Sequence, residues 1–391
     1  MLLTFFMDGV KYSKFKDCMP FLSSLNSKPL MSEFGYSCCC HATMYSGLYP
    51  EEHGTWFIWK RGENSPYKWV NKVPLLKYFN LIPVKYLVSR FTRKFLAKNT
   101  SYSGIPMLVN LPLKYWGEFE PSENVFWTDE RYLDSKPTLF KILKEKSISH
   151  KIVGLNKKPE IFDDLKDFEL KEKNFYYFFV GETDNYLHSY GEDSVELKSY
   201  LKKVDETIEE IYLKAKEIDN DVTLMVYSDH GHIGIKQNVN LHKIFSSNGL
   251  KLNKYIHLVE STFVRFWFRS EQEKNQVIPL MKKLEQEGLG FEIDEKVKER
   301  WHLNFSDNSN GDFVFHLNAP AMFTNTIWGY GHSTVSAHGY YPELYDHLGL
   351  FVSNKPLKQT EFVRLTDILP TQLECLGLDS KNMHGHNVLG K

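Results

Sequence analysis

Val222-Thr-Leu-Met-Val-Tyr-Ser228-Asp229-His230-Gly231 is an uninterrupted apolar run that stops at an acid, an imidazole and a glycine. A run of that length, rich in β-branched and aromatic residues and closed by a turn signal, predicts a strand buried on both faces. Phe175-Tyr-Tyr-Phe-Phe-Val180 repeats the pattern, bounded by Gly181 and followed by Asp184 and His188. The chain opens in the same way, a short apolar strand running into Asp8-Gly9. Between the last two runs lies Val195 to Ile218, apolar at 197, 201, 204, 208, 211 and 215, which predicts a long amphipathic helix. Strands alternating with helices indicate an α/β fold, doubly wound on a mainly parallel sheet.

Shorter elements fit the same rhythm. Cys38 to Ser46 reads as a helix closed by Gly47, and Pro137 to Lys146 as a helix with proline in its first turn. Lys151-Ile-Val-Gly reads as a strand. Two stretches break the alternation. Residues 59–135 are aromatic and basic, and residues 254–327 carry a strand at Thr262–Phe268, a helix at Glu271–Gln286 and further strand-like runs. The expected organisation is one α/β domain over 1–391 with two cap insertions, 59–135 and 254–327, the second a small α+β lobe.

Charge says more locally than globally. The formal net charge is −1, so the whole chain names no partner by its field. From Trp59 to Trp116, however, eleven Lys/Arg face a single acid, Glu63, a local +10 that leaves −11 elsewhere. Within it, the segment Pro83 to Lys98 has apolar residues at 84, 87, 88, 91 and 95 with basic residues over much of the other face. Such a helix either packs as a cap with a solvated cationic side or meets an anionic membrane or substrate. No nucleic-acid module accompanies it, and nucleic acid is not an expected partner. Five cysteines, three of them adjacent at 38–40, form no disulfide framework. The start lacks a signal-peptide pattern and no run reaches a membrane span, so a cytoplasmic location, peripheral at the membrane if the basic helix docks there, is the expectation. Nothing in the sequence specifies an oligomer.

Open α/β sheets bind ligands beyond the carboxyl ends of their strands, and those ends are where Asp8, Asp184, His188, Asp229 and His230 fall. His332 and His338-Gly339 follow the second insertion. Mixed carboxylate and imidazole donors suit Zn²⁺ and similar cations.

The segment Ser37-Cys-Cys-Cys-His41-Ala-Thr-Met-Tyr-Ser46-Gly47-Leu-Tyr-Pro50-Glu-Glu-His53-Gly54 resembles the nucleophile region of the type I phosphodiesterase/nucleotide pyrophosphatase branch of the alkaline phosphatase superfamily. Ser228-Asp229-His230-Gly231, Ala337-His338-Gly339-Tyr340-x-Pro342 and the closing Leu365-Thr-Asp-Ile-Leu-Pro370 stretch are similar to further motifs of that branch. The resemblance covers about residues 1–58, 136–250 and 328–391. It implies two divalent ions, zinc first and Mn²⁺ or Mg²⁺ as alternatives, one held by Asp184, His188 and His338, the other by Asp8, Asp229 and His230. It implies Ser37 as nucleophile, a phosphoseryl intermediate, and backbone N–H donors at the start of the 38–46 helix toward phosphate. The implied substrate is a phosphodiester, such as a nucleotide- or lipid-linked sugar. A phosphotransferase or phosphomonoesterase using the same ions, and an inactive binding protein, are the alternatives. His332 is a substrate contact or a supporting group. Two departures stand out: the family's proline after the nucleophile is absent from Cys38-Cys39-Cys40, and Ile58 occupies the place of a phosphate-contacting Asn. His41, His53 and the His384-Gly-His386 tail read as structural or surface residues.

Overall fold

The computed structural model describes residues 1–95, 108, 111–123, 125–155, 161–165, 168–171, 173–327 and 334–390, apart from the side chains of Arg93 and Asp163. The chain forms two compact units, the first from 1–53, 127–234 and 334–391, the second from 54–126 and 235–333.

The first unit is built on a seven-stranded sheet. Its order is Val363–Arg364, Asn26–Met31, Gly349–Ser353, Thr223–Tyr227, Leu2–Met7, Phe175–Val180 and His150–Val153. The last four strands are mutually parallel, while Gly349–Ser353 runs antiparallel to both neighbours. The apolar runs are strands for the reason their sequence suggests: every residue of Leu2–Met7 is buried, as expected for a parallel sheet covered on both faces. Phe5 and Phe178 are register partners whose rings stack at 4.2 Å and 7°. Truncating a ring buried in this way costs about 3–5 kcal/mol.

Helix Val195–Ile218 lies on that core with Leu197, Leu201, Val204, Ile208, Ile211 and Ala215 buried. Asp205 shares the buried face, 1% exposed, because its carboxylate accepts the Phe21 and Leu22 amides at 2.8 and 3.0 Å. Those are orphan donors at the start of the short helix Pro20–Ser23. Helix Ser37–Ser46 ends at Gly47, whose φ of 68° is the left-handed cap that glycine adopts without strain.

Register sets the site. Met7 pairs with Val180 and Phe6 with Tyr227, so three strands end level with one another. The residues that follow, Asp8, Gly181 to Asp184 and Ser228 to His230, therefore emerge at one edge of the sheet.

The second unit holds a four-stranded antiparallel sheet, Ile256–Val259, Phe263–Trp267, Phe313–Leu317 and Gly290–Glu292, packed by helix Glu271–Gln286. A buried ion pair, Arg265 with Glu260, is completed by Arg265 donating to the Trp59 carbonyl at 2.9 Å. The same unit contains helix Ile82–Phe95; positions 96–98 of the predicted basic helix lie outside the described residues. Its apolar positions divide. Val88 is buried and Val84 half-buried, whereas Leu87, Phe91 and Phe95 face solvent. Among the described residues, no helix is long and apolar enough to cross a membrane.

Candidate active site

Asp8, Ser37, Asp184, His188, Asp229, His230 and His338 all belong to the first unit, and the fold gathers them into two adjoining clusters. His332 lies outside the described residues.

The first cluster is Asp8, Asp229 and His230. Asp229 and His230 are fully buried at the end of strand Thr223–Tyr227. His230 Nε2 stands 3.2 Å from Asp229 Oδ2 and 3.9 Å from Asp8 Oδ1. The Gly9 amide donates to Asp229 Oδ1 at 3.2 Å. Gly9 has φ +77°, and a Cβ there would press on the His232 ring at 3.0 Å, so the turn after the first strand admits glycine alone. Ser37, the first residue of its helix, places Oγ 3.1 Å from His230 Nε2. Asp8 Oδ1 and Asp229 Oδ2 are buried without a hydrogen-bond donor. Burial, then repulsion from the Asp229 and Asp184 carboxylates, pushes the Asp8 carboxyl well above its usual range, and burial pushes Asp229 up to about 7.

The second cluster is Asp184, His188, His338 and an additional histidine, His232. Asp184 and His188 sit one turn apart on helix Glu182–Tyr190. Three imidazole Nε2 atoms converge on Asp184 Oδ1: His232 at 2.8 Å, His188 at 3.4 Å and His338 at 3.7 Å. The partners of the opposite ring nitrogens fix two tautomers. His188 Nδ1 lies 2.9 Å from the Ser336 carbonyl, which can only accept, so Nδ1 carries the proton. Ser336 Oγ donates to the Leu187 carbonyl at 2.7 Å, so His232 Nδ1 donates to Ser336 Oγ at 3.1 Å. Burial holds His232 well below the ordinary imidazole pKa and hence neutral. The His232 lone pair on Nε2 therefore points at an Asp184 carboxylate oxygen, an acceptor facing an acceptor. A cation between them removes the repulsion, and the donor set of one carboxylate with imidazoles suits zinc. His230 and His338 stack across the two clusters at 4.0 Å and 7°.

His232 is the functional-site residue that sequence reading missed. Its signal is the spacing His230-Gly231-His232, which puts two imidazoles in one strand-end loop. His53, His41 and His384, read from the sequence as structural or surface residues, make packing and hydrogen-bond contacts. His53 Nε2 meets Thr43 Oγ1 at 3.1 Å, His41 packs edge-on to Phe6, and His384 meets Glu52 at 2.8 Å. Cys38, Cys39 and Cys40 are buried in helix Ser37–Ser46 and unbridged.

The model of the type I phosphodiesterase / nucleotide pyrophosphatase family matches residues 2–341. No curated protein matches the sequence. Among solved structures, human ectonucleotide pyrophosphatase / phosphodiesterase 5 superposes with a TM-score of 0.68 at 13% identity, over 100% of both chains. The murine protein of that name, in an inactive form complexed with AMP, gives 0.65 at 15% identity over 99% of this chain and 96% of that one. At those identities the structures establish a shared fold. The family match extends to the chemistry, and its members are metal-dependent. With its Ser37 segment, strand-end acids and histidines in one place, the chain belongs to the type I phosphodiesterase / nucleotide pyrophosphatase family, a branch of phosphoric ester hydrolases in the alkaline phosphatase superfamily.

Proposed function

We propose that this chain is a two-metal phosphodiesterase that cleaves its substrate through a phosphoseryl intermediate on Ser37. The observation that carries the reading is the convergence of the His188, His232 and His338 Nε2 atoms on Asp184 Oδ1, which makes mutual sense around a cation. Asp184, His188 and His338, with His232 beside them, would hold one ion. Asp8, Asp229 and His230 would hold the other, next to Ser37 Oγ. Zinc is the expected metal, with Mn²⁺ or Mg²⁺ as alternatives. Bound there, the pair supplies charge that lowers the pKa of a hydroxyl and offsets the charge on phosphate oxygens.

The residues of the chain do the rest. The Ser37 hydroxyl releases its proton to solvent, and Oγ bonds to phosphorus as the bond to the leaving alcohol oxygen breaks and that oxygen takes a proton from solvent. Water then bonds to phosphorus as the Ser37 Oγ–P bond breaks, and one of the water protons ends on Ser37 Oγ by way of solvent. Position in the first turn of a buried helix keeps Oγ from wandering. Asp8 Oδ1 and Asp229 Oδ2, buried and without a donor, have acceptor capacity available for a cation. The substrate is a phosphodiester of a nucleotide- or lipid-linked sugar. The AMP bound by the murine neighbour speaks for a nucleotide, and Ile58 in place of the family's Asn speaks for the other class.

Ser37→Ala should lower turnover of a chromogenic phosphodiester at least about a hundredfold while metal content stays stoichiometric. A panel of mono- and diesters with zinc or manganese identifies the ester class. Undiminished turnover in Ser37→Ala would overturn the covalent route, and faster monoester cleavage would overturn the diester preference.

A further inference from the structure

Ten of the eighteen exposed large hydrophobic side chains among the described residues fall within 73–95, a stretch of 23 residues. Leu75, Leu81 and Leu87 are each at least 65% exposed. Isolated surface apolar residues need no explanation, but a concentration of this kind marks an interaction surface.

Helix Ile82–Phe95 is turned inside out. Its buried side is Lys85, Val88, Ser89 and Thr92, at helical spacing. Polar partners hold that orientation. Trp69 Nε1 donates to Thr92 Oγ1 at 2.9 Å, and the Tyr67 and Ser89 hydroxyls meet at 3.4 Å. The outward side carries Leu87, Phe91 and Phe95 in one row, with the Phe91 and Phe95 rings 5.0 Å apart. Ile82 and Tyr86 form a second row, and exposed Arg90 and Lys94 stand between the two. A helix that packs its hydroxyls inward and its phenylalanines outward has a partner for the phenylalanines.

The charge of the segment selects that partner. No Asp or Glu occurs between Glu63 and Glu118. A second copy of this chain would bring the same cations against themselves, which opposes pairing. An acidic protein groove would match the charge but does not call for such a spread of aromatic and aliphatic side chains on a convex helix. A bilayer interface calls for both: aromatic rings at the headgroup level, aliphatic side chains just beneath, and basic residues reaching anionic headgroups. Each such cation near an anionic leaflet contributes about 1 kcal/mol, lost as salt screens it.

We infer that residues 73–95 are a docking surface for an anionic lipid bilayer, on which helix Ile82–Phe95 lies flat with Leu87, Phe91 and Phe95 inserted. None of residues 73–95 belongs to either metal cluster.

Full-length protein should sediment with phosphatidylcholine vesicles that contain phosphatidylglycerol, and far less with phosphatidylcholine alone. Leu87→Ser with Phe91→Ser should lower the bound fraction at least about tenfold. Arg90→Glu with Lys94→Glu should lower it comparably and flatten its salt dependence. Both variants should retain wild-type turnover of a soluble phosphodiester, which separates lost docking from lost fold. If neither variant folds, the single changes Phe95→Ser and Lys94→Gln, each expected to weaken binding severalfold, carry the test. Absence of binding at low salt overturns the inference. So does binding that the variants leave unchanged. A dimer in light scattering that Leu87→Ser with Phe91→Ser dissolves, or RNA binding that the same change abolishes, would assign the surface to another occupant.

Discussion

Replacing His232 by alanine removes the lone pair aimed at Asp184 and the prop that orients that carboxylate from the Ser336 side. Ligands and the groups that orient them typically contribute ten- to hundredfold to metal affinity. His232→Ala should therefore weaken one of two zinc-binding steps by at least about tenfold in calorimetry, with the Asp8 cluster still loading. Both affinities unchanged from the unsubstituted protein would show that His232 is a packing residue. Asp8, Asp229 and His230 were legible because each ends an apolar strand, where α/β sheets keep ligand sites. His232 was not. Its loop has no periodicity, so spacing alone does not say whether a side chain turns toward Asp184 or away.

At the scale of the element, Asp205 shows how one residue joins two helices. It sits on the apolar face of Val195–Ile218, where periodicity expects an aliphatic residue, and closes the start of Pro20–Ser23. Asp205→Ala leaves two amides without an acceptor and should lower unfolding free energy by about 2 kcal/mol in urea titrations, without loss of metal. An unchanged midpoint would mean that water replaces the carboxylate at no cost. The long helix at 195–218 and the apolar strands were legible from period alone, since their burial is one-sided or complete. Strand Asn26–Met31 was not, because Lys28 and Pro29 interrupt its apolar content and Pro29 offers no ladder N–H. It is a strand because Gly349–Ser353 and Val363–Arg364 pair with it. Helix Ile82–Phe95 was readable as a helix. Which side faces inward was set by Trp69 and Tyr67, residues outside it.

For the whole molecule, the stability of the first unit should depend on metal. Asp8 and Asp229 are buried close together, and burial and repulsion raise both carboxyl pKa values. A carboxyl whose folded pKa exceeds its unfolded value stabilises the fold at low pH and loses that contribution as pH rises through the folded value. Metal-stripped protein should thus lose stability as pH rises from the ordinary carboxyl value of 3.8 toward about 7. Zinc should reverse the loss, raising Tm near neutral pH by about 5 °C at saturating concentration. Differential scanning calorimetry with and without chelator checks this, and a chelator effect that is the same at acid and neutral pH would remove the carboxylates from the explanation.

The sequence by itself determined the α/β class, the strand ends that carry acids and histidines, the resemblance to its family and the basic character of 59–116. These are properties of period, composition and motif, written along the chain. Tertiary structure alone decided that Asp184 meets three imidazoles, that His232 is one of them, and that the second apolar row of helix Ile82–Phe95 points outward. The physical reason is common to all three. A side chain's neighbours across an element are set by register and loop path, and the hydrogen bonds that fix those neighbours come from residues distant in the chain.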